Sequence, residues 1–114
     1  MIDNYRFGRM TIQGEIFTSD LVVTNEGVAS DWRRKKGHLL QVEDLTTIIQ
    51  GRGPGDLVVG TGQLGLMKVH GGVKSYLEEN GWTFVAEPTD RAMRVYNRLI
   101  LVKPNVVGVF HITC

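Results

Sequence analysis

Apolar residues fall along this chain in short groups whose spacing alternates between strand and helix periods. The opening reads as β. Residues 7–12 carry branched and aromatic side chains up to a turn at Gln13-Gly14, and residues 15–24 resume with Ile16, Phe17, Leu21, Val22 and Val23 before a second turn at Asn25-Glu26-Gly27. These are arms of antiparallel hairpins, with room for a third short strand after Gly27. The next stretch, Asp31-Trp32-Arg33-Arg34-Lys35-Lys36-Gly37-His38, is too charged and too glycine-broken for a core element and is predicted as an exposed loop. Val42, Leu45, Ile48 and Ile49 recur at helical spacing, with Glu43 and Asp44 where a helix dipole favours negative charge, so residues 42–50 are predicted as a helix. Gly51-Arg52-Gly53-Pro54-Gly55 ends it. Asp56-Leu57-Val58-Val59-Gly60 has the unbroken apolar run of a strand buried on both faces. A short helix over residues 73–80, stopped by Gly81, and a strand over residues 82–87 follow. A helix is then entered at Pro88 with Thr89 or Asp90 as its cap. Its Ala92, Met93, Tyr96, Leu99 and Ile100 share one arc, opposite Arg91, Arg94 and Arg98. Residues 106–114 make the final strand.

Strands alternating with helices build βαβ units, whose crossovers lay helices on a mostly parallel sheet, while the opening hairpins add an antiparallel part. The expected fold is α/β, a three-layer sandwich with a mixed central sheet and an N-terminal antiparallel β-hairpin layer. The 114 residues, 42% hydrophobic and 22% charged, suit a single domain over 1–114 with a core of its own. A net charge of +1 gives no global field to gather nucleic acid or an anionic membrane, so neither is an expected partner. Cys114 is the single cysteine, so no internal disulfide forms, and a reducing, cytoplasmic setting is expected. The start lacks the apolar stretch of a signal peptide, and no run is long enough to span a bilayer.

Chemistry is sparse. Gly60-Thr61-Gly62-Gln63-Leu64-Gly65 is a literal G-x-G-x-x-G after a buried strand, with Glu87 near the position of a ribose-binding acid. Against a dinucleotide site stand the Gly71-Gly72 pair, where the phosphate-facing helix should start, and a chain too short for two mononucleotide halves. A smaller anion at this loop and a purely structural turn both remain open. Arg33, Arg34, Lys35 and Lys36 form the one dense basic run, suited to an acidic protein surface, and His38 closes it. His38, His70, His111 and Cys114 show no metal-ligand spacing. No nucleophile elbow or paired carboxylates appear, so neither a cofactor nor a catalytic set is predicted.

Several segments in fixed order carry a resemblance. They are Arg6-Phe7-Gly8, Asp20-Leu21-Val22-Val23, the basic loop ending at His38, Leu57-Val58-Val59-Gly60-Thr61-Gly62, Pro88-Thr89 through Ala92 to Tyr96-Asn97, and His111-Ile112-Thr113-Cys114. Over essentially its whole length the chain resembles the domain-of-unknown-function 498 family, the Mth-938-like proteins. That resemblance implies a compact three-layer fold with a mixed sheet and no established enzymatic activity. Better-known relatives, an adipogenesis-associated protein and a mitochondrial complex I assembly factor, assemble or regulate other proteins. The expected function is a non-catalytic protein-binding or assembly-factor domain presenting Arg33, Arg34, Lys35, Lys36 and His38, with Gly60, Thr61, Gly62 and Gly65 alongside, to a protein partner of unidentified kind. The alternative is a small-molecule or anion-binding protein, or an enzyme, that uses the glycine loop.

Overall fold

A computed structural model describes residues 1–114. Strands β1 (Ile2–Arg6), β2 (Arg9–Ile12) and β3 (Glu15–Phe17) form an antiparallel meander. Strands β4 (Leu21–Thr24) and β5 (Gly27–Ser30) form a hairpin in a larger sheet. After them come β6 (Leu39–Leu40), a 3₁₀ turn (Val42–Asp44), α1 (Thr46–Ile49), β7 (Asp56–Thr61), β8 (Lys68–Val69), α2 (Gly71–Glu79), β9 (Thr83–Glu87), α3 (Thr89–Leu99) and β10 (Val106–His111).

The larger sheet has five strands in the order β5-β4-β10-β7-β9. β10 runs antiparallel to β4, pairing Gly108 with Val23, and parallel to β7, pairing Gly108 with Val58. β7 in turn runs parallel to β9. Every residue of β10 is buried, as are all of β7 but Asp56, because both faces of these strands are covered. On one face Val58, Val106 and Phe110 meet the meander and α3 through Ile2, Met10, Ala92 and Tyr96. On the other, Leu57, Val59, Val107 and Val109 meet Leu45, Ile49, Val73, Leu77 and Trp82. The three-layer mixed α/β fold expected from the sequence is the one observed, with the N-terminal meander supplying part of one outer layer.

Element boundaries differ for local reasons. The first strand, β1, escapes the period-2 reading because its register shifts between Ile2 and Asn4, so the buried residues are Ile2 and Tyr5, three apart. Residues 15–24 are two strands, since Phe17 belongs to the meander and Leu21 to the main sheet. The expected helix over residues 42–50 is a 3₁₀ turn followed by one α-helical turn. Gly71-Gly72 opens α2 instead of preceding it, because the His70 ring accepts the Gly72 N–H at 3.0 Å through Nδ1 and caps the first turn. Gly81 ends the helical segment at φ +78°, as its role demands. Pro88, not Thr89 or Asp90, is the N-cap of α3, and the Thr89 side chain turns into the core.

Candidate functional site

The carboxyl ends of β7 and β10 are where an open α/β sheet usually leaves a crevice for ligands. Here the chain itself fills that place. The three carbonyls that follow β10 hold two loops: Ile112 O accepts the N–H of Gly8 in the β1–β2 turn at 2.7 Å, while in the β7–β8 loop Gln63 donates to Thr113 O at 2.7 Å and Leu66 to Cys114 O at 3.2 Å. The buried Thr89 hydroxyl links the same region, donating to His111 O and accepting the Gly62 N–H at 2.9 Å.

The glycines of the G-x-G-x-x-G stretch serve this packing. Gly60 and Thr61 are buried residues of β7, not loop residues. A Cβ on Gly60 would meet Phe110 and Thr89, and one on Gly62, at φ +101°, would run into the Cys114 backbone. The loop amides are engaged as well. Gly62 N–H goes to Thr89, Gln63 to Thr113, Gly65 to Gly62 O, Leu66 to Cys114 and Met67 to Thr61 O. A phosphate cradle needs amides that point outward together, and these point inward to protein acceptors.

The basic run splits into two kinds of residue. Arg33, Lys35, Lys36 and His38 are exposed, as expected. Arg34 is not: its side chain is only 4% exposed, which corrects the reading of the whole run as solvated loop. The guanidinium donates to Asp20 Oδ2 at 2.8 Å through Nη2 and to Gly37 O at 3.0 Å through Nε, and it lies 4.7 Å from the centre of the Trp32 ring. Backbone bonds from Asp31 to Ser19, Trp32 to Asp20 O and Lys35 to Asp44 fix the loop around it. Sequence reasoning missed this split because charge density gives an average for a run, whereas burial is decided residue by residue.

Asp20 and His111 complete the network, and neither stood out in the sequence as a site residue. Antiparallel pairing of β4 with β10 sets Asp20, just before Leu21, beside the end of β10. Asp20 Oδ1 accepts the Ile112 N–H at 2.8 Å, while Oδ2 lies 2.9 Å from His111 Nδ1. That nitrogen is also 3.1 Å from Arg34 Nη2, which can only donate. The shorter contact is the one to the carboxylate, for which Nδ1 is the donor, and Nε2 takes part in neither. His111 Nε2, Arg34 Nη1 and Trp32 Nε1 are all buried without partners in the chain. The His38 ring packs edge-on against His111, with centroids 5.5 Å apart.

Burial works against ionisation of Asp20, but hydrogen bonds from His111, Ile112 and Arg34 outweigh it and hold the carboxyl below its usual range. Tyr5, whose hydroxyl donates to Ile112 O at 2.8 Å, is pushed up to about 12 by burial and then by the charges of Asp20, Asp90 and Cys114. An Asp–His pair is the core of many general bases. Here Nε2 is sealed from solvent with no hydroxyl or thiol hydrogen-bonded to it, so the geometry is that of a buried clasp. No three His, Cys, Asp or Glu side chains converge as a metal-ligand set.

Around the clasp the surface is apolar and cationic. Phe7, in the β1–β2 turn, is 57% exposed, Leu64 is 71% exposed, and Leu66 is exposed beside it. All three sit on loops held by the 112–114 carbonyls. The expected candidates therefore divide. Arg33, Lys35, Lys36 and His38 flank this edge, Arg34 anchors it from inside, and Gly60, Thr61, Gly62 and Gly65 shape it. The Arg91, Arg94 and Arg98 stripe lies elsewhere, on α3 across the sheet from Trp32, and two of its members are met by Glu87 and Asp90 of their own segment.

These features define a mixed α/β scaffold whose carboxyl edge is packed by its own loops. The chain belongs to the family described as protein of unknown function (DUF498/DUF598), matched over residues 2–111. A conserved hypothetical protein from Pyrococcus horikoshii OT3 is similar at 25% identity and TM-score 0.81, with 100% of this chain and 99% of that one covered. The structure named MT938 is similar at 26% identity and TM-score 0.76, covering 100% and 98%. A protein from Bordetella parapertussis matches at 26% identity and TM-score 0.76, covering 96% and 92%. No helix is long and apolar enough to cross a membrane.

Proposed function

We propose that residues 1–114 act as one non-catalytic protein-binding module of the assembly-factor kind, working in the cytoplasm and docking through the carboxyl edge of β7 and β10. The observation that carries this reading is the gathering of exposed Phe7, Leu64 and Leu66 on two loops clamped to residues 112–114, beside exposed Arg33, Lys35 and Lys36. Apolar tips on a fixed backbone lose little entropy on binding, and rim cations select a partner with acidic residues around an apolar patch. A single unpaired cysteine, Cys114, suits that setting. The competing reading, a small anion held by Gly60, Thr61, Gly62 and Gly65, has against it the inward use of the loop amides.

The test is quantitative recovery of copurifying protein on immobilised chain. The Leu64→Ser/Leu66→Ser variant and the Arg33→Glu/Lys35→Glu/Lys36→Glu variant should each lose the partner while melting within a few degrees of the parent, since surface changes cost about 0.5 kcal/mol or less. Leu101→Ser/Val102→Ser, which alters exposed apolar residues at the other end of the sheet, should retain it. Equal recovery by all variants overturns the reading.

A further inference from the structure

The amino ends of the parallel strands differ from the carboxyl edge in having open space. A hollow of about 440 Å³ lies there between the meander, the β4–β5 turn and the end of α3. Its size is within the roughly 300–1,000 Å³ of small-molecule sites. Ile12, Val23, Val28, Ile100 and Val106 give it apolar walls.

Two polar groups in this hollow have nothing in the chain to satisfy them. Tyr96 lines it while only 3% exposed, and its hydroxyl makes no hydrogen bond within the protein, unlike that of Tyr5. Burial alone raises the Tyr96 phenol, so it remains a protonated donor at neutral pH. The hydroxyl oxygen is open to the hollow, where a ligand oxygen would take the place of water as its acceptor. At the mouth, Lys103 is exposed and has no carboxylate within ion-pair distance, whereas Glu26 on the same rim is held by Arg52 at 2.8 Å. The uncompensated charge of the rim is thus positive. Tyr96 lies one helical turn before Ile100, and Lys103 follows just past the helix end, so three lining residues offering a donor, an apolar wall and a cation succeed one another along the chain.

We propose that this hollow binds an aliphatic carboxylate bearing a second oxygen at its far end. The carboxylate pairs with the Lys103 ammonium, the chain lies against Val23, Val28 and Ile100, and the distal oxygen accepts the Tyr96 hydroxyl proton. The site is remote from the docking edge and independent of it.

The probes are decanoate and its ω-hydroxy derivative, titrated below their micelle-forming concentrations and followed by amide chemical shifts. Both should move Val28, Ile100 and Val106 resonances. The hydroxy acid should bind roughly 3- to 10-fold tighter, the worth of one hydrogen bond. Tyr96→Phe, which keeps the ring, should equalise the two probes, and Lys103→Ala should weaken both by a similar factor. Shifts absent from these residues, a preference surviving Tyr96→Phe, or binding indifferent to Lys103→Ala would each overturn the proposal.

Discussion

Two arginine–carboxylate pairs mark the two ends of the sheet, and their N···O distances are the same. Arg34 reaches Asp20 at 2.8 Å at the carboxyl end, and Arg52 reaches Glu26 at 2.8 Å at the amino end. The first is buried with His111, Ile112 N–H and Trp32 packed around it; in the second Glu26 stands in solvent. Distance alone therefore says little about worth. Removing one member of a buried pair strands the other charge, whereas an exposed pair is screened and its loss is small. The carboxyl end is closed by this difference and offers only its outer surface. The amino end keeps a hollow.

The largest break in that contrast comes from Arg34→Leu, which leaves the half-buried Asp20 without its cation and should cost about 3–5 kcal/mol, lowering the melting temperature by roughly 10–20 °C. The matched Asp20→Asn variant sharpens it through pH. Because the folded-state carboxyl titrates below its ordinary value, ionised Asp20 contributes stability that is present above that value and lost as pH falls through the lower, folded one. Urea unfolding from neutral to strongly acid pH should show parent and Asp20→Asn converging at the acid end, and a gap that stays constant with pH would contradict the assignment.

Next in size is Gly62→Ala. It combines a positive φ with a Cβ set against the Cys114 backbone and should cost about 2–4 kcal/mol. At Gly14, where φ is also positive but no atom lies within 4 Å, the same change should cost only the conformational part, about 1–2 kcal/mol. Chemical denaturation of the two variants gives the comparison directly. Thr89→Val deletes a buried hydroxyl that both donates to His111 O and accepts from Gly62, and should cost about 1–3 kcal/mol. Smallest is Arg52→Ala, expected below about 1 kcal/mol in the same assay.

Much of the layering was legible because it rests on burial patterns that need no long-range knowledge. The unbroken run Leu57-Val58-Val59 can only be a strand covered on both faces, and Ala92, Tyr96 and Leu99 can only face a core. β1 was hidden by its bulge, and α1 was overestimated because two apolar pairs at helical spacing do not by themselves sustain a helix. At the candidate site the basic run and the glycine stretch stand out as segments, but the roles of residues within them are not legible. Whether Arg34 points inward depends on Asp20, 14 residues earlier, and on His111, 77 residues later. No local pattern encodes that meeting. The exposed tips Phe7, Leu64 and Leu66 had a weak signal, since bulky apolar residues beside glycine turns have no periodicity that would bury them.

The claim on which the functional reading rests is that the carboxyl edge is held rigid from inside, and amide hydrogen exchange tests it residue by residue. The amides of Gly8, Gln63 and Leu66, each bonded to a carbonyl of residues 112–114, should exchange slowly in the parent chain and lose most of that protection in Arg34→Leu. Fast exchange at all three in the parent, or protection untouched by the substitution, would contradict it.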